Sequence, residues 1–228
     1  MRMIGSIMRK SALAFGVGVL GLAMAAGGLG ASQAQARTII DDWRTVQPPP
    51  APSLKPVTVD LKTTALLLLD FNGAQDPAKG PCNKNTKPRC LASLPKVKSL
   101  LDAARAKDVF VVYSLAGAGE PQDIATVLAP LASDPIVKSG PDKFIGTNLR
   151  SILADKGIKT VIVTGTASEG AVLDTATDAA LNGMNIILPV DGMSSTEPYG
   201  EQYVAWHMVN APGVAQKTTL TRIDMIKF

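Results

Sequence analysis

TVIVTGTASEGAVLDTATDAALNGMNIILPV, residues 160–190, is the stretch that decides the fold. Thr160 to Thr164 is a short, β-branched apolar run, the pattern of a strand buried on both faces. Gly165 follows it. Ser168 suits the N-cap of a helix that runs to Asn182 and stops at Gly183. Ile186 to Val190 is a second apolar strand. A strand, one helix and another strand with short joints form a right-handed crossover, so the two strands lie parallel.

The same alternation extends in both directions. Ala65–Leu69 is an apolar strand that ends at Asp70, and Leu94–Lys107 has helical apolar spacing. Val109–Tyr113 is a strand, Ile124–Leu131 a short helix, Ile136–Val137 a short strand and Ile145–Lys156 a helix stopped by Gly157. Tyr199–Asn210 is a helix and Thr218–Ile223 a last strand. Six strands and their helices imply a three-layer α/β/α domain, Rossmann-like, with a mostly parallel six-stranded sheet over residues 65–228. Arg37–Thr64, with Trp43 and QPPPAPSLKP, reads as an extended Pro-rich arm.

In open parallel sheets the site lies beyond the carboxyl ends of the strands, where strand order reverses. That singles out the loops after Leu69, Val137 and Thr164. The first supplies Asp70, with Phe71 and Asn72 as pocket candidates; the second supplies Lys138. The third is a small-residue turn, Gly165 to Ala171, whose Thr166, Ala167, Gly170 and Ala171 face an anion or oxyanion, with Glu169 at the pocket mouth. Each also has a plain structural reading. Asp70 can be a turn residue, Lys138 a solvated lysine, Glu169 a helix-dipole acid and the turn an ordinary joint. Lys143 is expected to be solvated.

ALLLLDFN, KSGPDKFIGTNLRSILADKGIKTVIVTG and GTASEGAVLDTATDAALNGMNIILPVD, in this order, resemble the isochorismatase-like (cysteine hydrolase) superfamily over Ala65–Val190. The resemblance implies that fold and a working Asp70. It selects Lys138 as the lysine, because the family's lysine stands six residues before the phenylalanine that Phe144 matches. Ser168 stands for the family's threonine, and Ala171 occupies the position of its cysteine nucleophile. A cis peptide is implied between Thr166 and Ala167. A methyl group cannot attack a carbonyl, so cysteine-amidase chemistry is excluded. A branch that also lacks the cysteine uses its aspartate as a general acid on a vinyl ether, which leaves Asp70–Lys138 acid–base chemistry open. The alternative is a retired family member that binds a small molecule in the old pocket.

The remaining sequence bounds the partners. Arg2, Arg9 and Lys10, an uncharged stretch from Ser11 to Ala31 and Ala34-Gln35-Ala36 read as a signal peptide over residues 1–36; an uncleaved anchor is the other reading. Cleavage takes the formal charge from +4 to +1 and leaves a periplasmic or secreted protein without a stable membrane anchor. No basic stripe remains, so no nucleic acid is expected. Cys82 and Cys90 read as a disulfide in an oxidising compartment, against a nucleophile or a metal pair. A single histidine, His207, on a late helix argues against a metal site, and no cofactor is expected. The expected partners are a small-molecule substrate or ligand and further copies of the chain.

Overall fold

The structure, a computed structural model, describes residues 36–228. The export signal expected at the amino terminus lies outside the described residues. The chain divides after Gln47. In the first unit a single helical turn, α1 (Ile39–Asp42), departs from the extended arm that the prolines suggest. The cause is local: the backbone N–H of Thr38 donates to Asp41 Oδ2 at 2.7 Å, which caps the turn.

The second unit, from Pro48 onward, holds the sheet. Residues 48–56 run without regular structure, and Leu54 packs against the core. The Lys55 N–H donates to the Leu220 carbonyl at 2.9 Å. β1 (Val57–Thr58) then pairs in parallel with β9 (Ile226–Lys227). The major strands are β2 (Thr64–Leu69), β3 (Phe110–Leu115), β4 (Ile136–Lys138), β5 (Thr160–Thr166), β6 (Asn185–Pro189) and β8 (Thr218–Thr221). They are all parallel, in the order β4-β3-β2-β5-β6-β8, and the short β7 (Met193–Ser194) pairs with the tip of β5.

Strand periodicity sorts the core into two layers. Leu67 and Leu69 face one side of β2, with Leu149, Ala176 and Val204. These come from α3 (Leu149–Asp155), α4 (Leu173–Leu181) and α5 (Pro198–Asn210). Leu66 and Leu68 face the other side, with Val97 and Leu101 of α2 (Pro88–Arg105). Both faces of β2 are covered, which is why its sequence is a leucine run and not an alternation.

Three helix boundaries differ from those the sequence predicts. Helix α2 begins six residues before Leu94, because Pro88 is tolerated in a first turn, and it accommodates Pro95 inside. The helix expected over Ile124–Leu131 is only a 3-10 turn at Thr126–Leu128. The helix expected from Ile145 starts at Leu149; Thr147 Oγ1 instead accepts the Leu149 N–H at 3.1 Å. Cys82 and Cys90 form the expected disulfide, with Cα atoms 5.4 Å apart. Both are buried, beside Phe71 and Val97, and the bridge ties the loop after β2 to the first turn of α2.

Alkylation of the unreduced, natively folded or urea-unfolded protein should label neither thiol. The double variant Cys82→Ala/Cys90→Ala should lose about 2–3 kcal/mol of stability in urea denaturation, the chain-entropy value for so short a loop.

Candidate active site

The order β4-β3-β2-β5 places the topological switch between β2 and β5, since the chain moves outward from β2 to β4 and then returns to the other side. Leu69 is in register with Gly165 across that junction. A Cβ on residue 165 would lie 2.4 Å from the Leu69 carbonyl oxygen, and φ is +147°, so only glycine fits. Asp70 and the turn after β5 therefore emerge side by side.

Asp70 is 3% exposed and has φ +57°, a left-handed conformation that aspartate tolerates better than most residues. Its N–H points at Ser114 of β3, 3.3 Å from the carbonyl oxygen and 3.2 Å from the hydroxyl. The Ser114 hydroxyl in turn donates to Asp70 Oδ1 at 2.6 Å. Oδ2 meets the Lys143 ammonium at 2.8 Å. Burial pushes the Asp70 carboxyl above the usual carboxylate range, against the Lys143 charge and the bonds from Lys143 and Ser114, which favour the ionised form.

The lysine is thus Lys143 and not Lys138, which corrects the sequence reading. Lys143 is fully buried. Besides Asp70, its ammonium reaches the carbonyls of Gly140 at 2.7 Å and Ser139 at 3.5 Å, so all three of its protons have acceptors. Lys138 is 44% exposed in its side chain and pairs with Glu120 at 3.1 Å. The reason is lateral: Lys138 ends the edge strand β4, level with Leu115 of β3. It stands two strand spacings, roughly 10 Å, from β2. Only the loop beyond β4 reaches back over the strand ends. Helix α4 holds that loop, because Thr175 Oγ1 accepts the Lys143 N–H at 3.1 Å and donates to the Pro141 carbonyl at 3.4 Å.

The peptide between Thr166 and Ala167 is cis, as the resemblance implied. Ser168–Val172 forms a wide π-helical turn ahead of α4, and Ala171 within it is 4% exposed. Two members of the expected anion turn are committed elsewhere. The Thr166 hydroxyl donates to the Ser194 carbonyl at 3.2 Å, and the Gly170 N–H to the Ala167 carbonyl at 3.2 Å. The Ser168 hydroxyl is buried and has no hydrogen-bond partner among the described residues. Glu169 is exposed, and its carboxylate and the Ser195 hydroxyl both border Gly200, where α5 begins.

Phe71 and Asn72 do not face a pocket. Phe71 is buried in the α2-side core. The Asn72 amide donates to the carbonyls of Lys79 and, at 2.9 Å, Ala116, clamping the loops after β2 and β3 together. Ser114 is the residue that sequence reasoning missed; SLAGAG after a strand carries no signal beyond its place at a strand end. Among the described residues, no group of three or more His, Cys, Asp or Glu side chains is placed to hold a metal. His207 lies on α5 beside Tyr203, with ring centroids 5.9 Å apart. Asp70, Lys143 and Ala171 do not line the cavities beside Val57, Asp191 and Phe110.

Comparisons with known proteins agree with this architecture. A family model described as Isochorismatase domain matches residues 64–220. Isc1 of Verticillium dahliae, described as a secreted isochorismatase effector, is 28% identical over 153 residues, 62% of this chain and 78% of that protein. YaaI of Bacillus subtilis, described as an uncharacterized isochorismatase family protein, is 30% identical over 90 residues, 39% of this chain; the match spans half of YaaI. Among solved structures, an isochorismatase family protein from Desulfovibrio vulgaris superposes with a TM-score of 0.62 at 20% identity, over 72% of this chain and 95% of that one. N-carbamoylsarcosine amidase from Thermoplasma acidophilum gives a TM-score of 0.59 at 20% identity, over 71% and 97%.

Lys143→Ala strands a buried carboxylate and should cost about 3–5 kcal/mol in urea denaturation at neutral pH. Lys138→Ala removes only an exposed pair and should cost less than about 1 kcal/mol. Ser114→Ala deletes a donor that favours the ionised carboxylate, so the Asp70 pKa should rise further. A carbon-detected NMR titration of the Asp70 carboxyl should show its midpoint at higher pH in the variant than in the wild type.

Proposed function

We propose that this chain, which belongs to the isochorismatase family, is an exported hydrolase of a branch that works without a cysteine. The observation that carries the proposal is the buried Asp70 carboxylate, held by Lys143 on one oxygen and by Ser114 on the other. Buried, fully bonded ionisable pairs at a topological switch point suit acid–base chemistry more than stability, since a buried ion pair is a weak stabiliser. Ala171 occupies the nucleophile position. The chain's two cysteines are bonded to each other, so thiolate attack has no residue to perform it.

Asp70 is the general acid and base in this reading. Its raised pKa increases the fraction that carries a proton to donate. In an enol ether that proton goes to carbon, water adds to the resulting oxocarbenium, and the hemiketal breaks down to a ketone and an alcohol. That transfer leaves Asp70 ionised, and it regains its proton from the water that adds; Lys143 stabilises the carboxylate in between, and Ser114 orients it. The Ser168 hydroxyl and the turn that carries it contact the substrate. Glu169, near the start of α5, disfavours anionic groups at that approach and favours neutral or cationic ones. Export is supported by the amino-terminal sequence, by the disulfide and by the description of Isc1 as secreted.

One observation favours a second reading, a binding protein on a retired enzyme fold. Asp70 is almost inaccessible in the single chain, with both oxygens occupied. Turnover of a panel of small enol ethers and amides by the purified protein separates the two. In the enzyme reading, Asp70→Asn should lower kcat/KM about 10²–10⁴-fold, the usual contribution of a general acid. Lys138→Ala should stay within about twofold of wild type, less than 0.5 kcal/mol on the transition state. Saturable binding without turnover of any panel member would establish the retired reading instead.

A further inference from the structure

The end of the sheet opposite Asp70 also carries a cavity. A cavity of about 380 Å³ opens at the amino ends of β2 and β3, within the size range of small-molecule sites. Its apolar wall is Leu61, Phe110 and Ile158. Its polar wall includes three lysines, each from a different part of the fold. Lys62 comes from the turn before β2, Lys107 from just beyond α2 and Lys156 from the end of α3. Helices α2 and α3 cover opposite faces of the sheet, so the fold brings basic residues from both layers to one opening.

A lysine after a helix has an ordinary explanation, the favourable field of the helix carboxyl end. That accounts for Lys107 and Lys156 singly. It does not account for Lys62, nor for what lies between them. Among the described residues none of the three ammonium groups takes part in an ion pair. One carboxylate, Asp108, lines the opening against three cations. The Lys156 ammonium lies 5.5 Å from the centre of the Phe110 ring, so positive charge sits directly against an aromatic surface. The independent sign is Thr64. It lines this cavity and also the neighbouring one beside Val57 and Thr160, it is 1% exposed, and its hydroxyl has no hydrogen-bond partner among the described residues. A buried hydroxyl left unpaired is unfavourable, and rotation of the Thr64 side chain toward the cavity would let a ligand oxygen satisfy it.

We propose that this cavity binds a small organic anion with a flat apolar body, its anionic group among Lys62, Lys107 and Lys156 and its body against Phe110 and Ile158. Thr64 opens β2 and Asp70 follows its end, so the two sites are separated by the length of the strand, roughly 20 Å for six residues. An occupant here cannot touch Asp70, and the proposal is independent of whether Asp70 catalyses anything.

The test is a titration of the full folded protein with 2-naphthoate, followed by amide chemical shifts, beside its neutral counterpart 2-naphthamide. Saturable shifts should centre on Thr64, Lys107, Phe110 and Lys156. The exposed double substitution Lys107→Glu/Lys156→Glu should weaken binding at least tenfold without altering the remaining spectrum, and Thr64→Val should weaken it to a smaller extent. The amide should bind at least tenfold more weakly than the carboxylate. The proposal is overturned by any of three results: no saturation up to about 10 mM, far above useful affinity; shifts centred instead on Asp70 and Ala171; or equal affinity for the double variant or the amide.

Discussion

A carboxylate and an ammonium buried against each other organise the carboxyl end of this sheet. Asp70 and Lys143 are both removed from water and 2.8 Å apart. Neither charge is tolerable there alone, because isolated ions in a protein interior lose most of their hydration. The pair therefore dictates where other parts go. The loop after β4 must fold back over the strand ends, its carbonyls at Ser139 and Gly140 must turn inward to the ammonium, and Thr175 of α4 must hold the loop in place. Ser114 completes the carboxylate from the neighbouring strand. Strand, loop and helix are thus locked by one electrostatic requirement.

Leucines of similar volume would bury the same space at less cost. Keeping the ions, one of them directly after a strand that is apolar from Ala65 to Leu69, is the physical ground for reading the site as chemical and not merely architectural. The same reasoning separates the two lysines. Lys138 is wet and pairs with an exposed glutamate, an arrangement worth little. Lys143 has no water to fall back on, so its contacts are obligatory.

The periphery is held by different means. The disulfide anchors the loop after β2 to the start of α2, and the pairing of β1 with β9 ties the segment before the sheet to the segment after it. Asn72 joins the loops that follow β2 and β3. These links are a covalent bond, a backbone ladder and a side-chain amide, and they leave the strand ends as the place where side-chain chemistry varies.

The amino-acid sequence by itself determined the layered parallel sheet, because apolar runs, helical spacing and glycine stops act over a few residues and repeat. It also determined that Asp70 ends the first major strand, and it identified the cysteine pair and the small-residue turn at Gly165. The choice between Lys138 and Lys143 was decided only by tertiary structure. Spacing along a chain does not encode how far an edge strand stands from its neighbours, and β4 lies one strand too far out for its own last residue to reach Asp70. Ser114 was hidden for the same reason, since a serine at a strand end acquires its role from the strand beside it. Phe71 and Asn72 follow Asp70 directly in sequence, yet the left-handed turn at Asp70 sends one into the core and the other across two loops. Contacts between elements distant in sequence depend on the lateral order and stagger of the strands, which become definite only when the sheet is assembled.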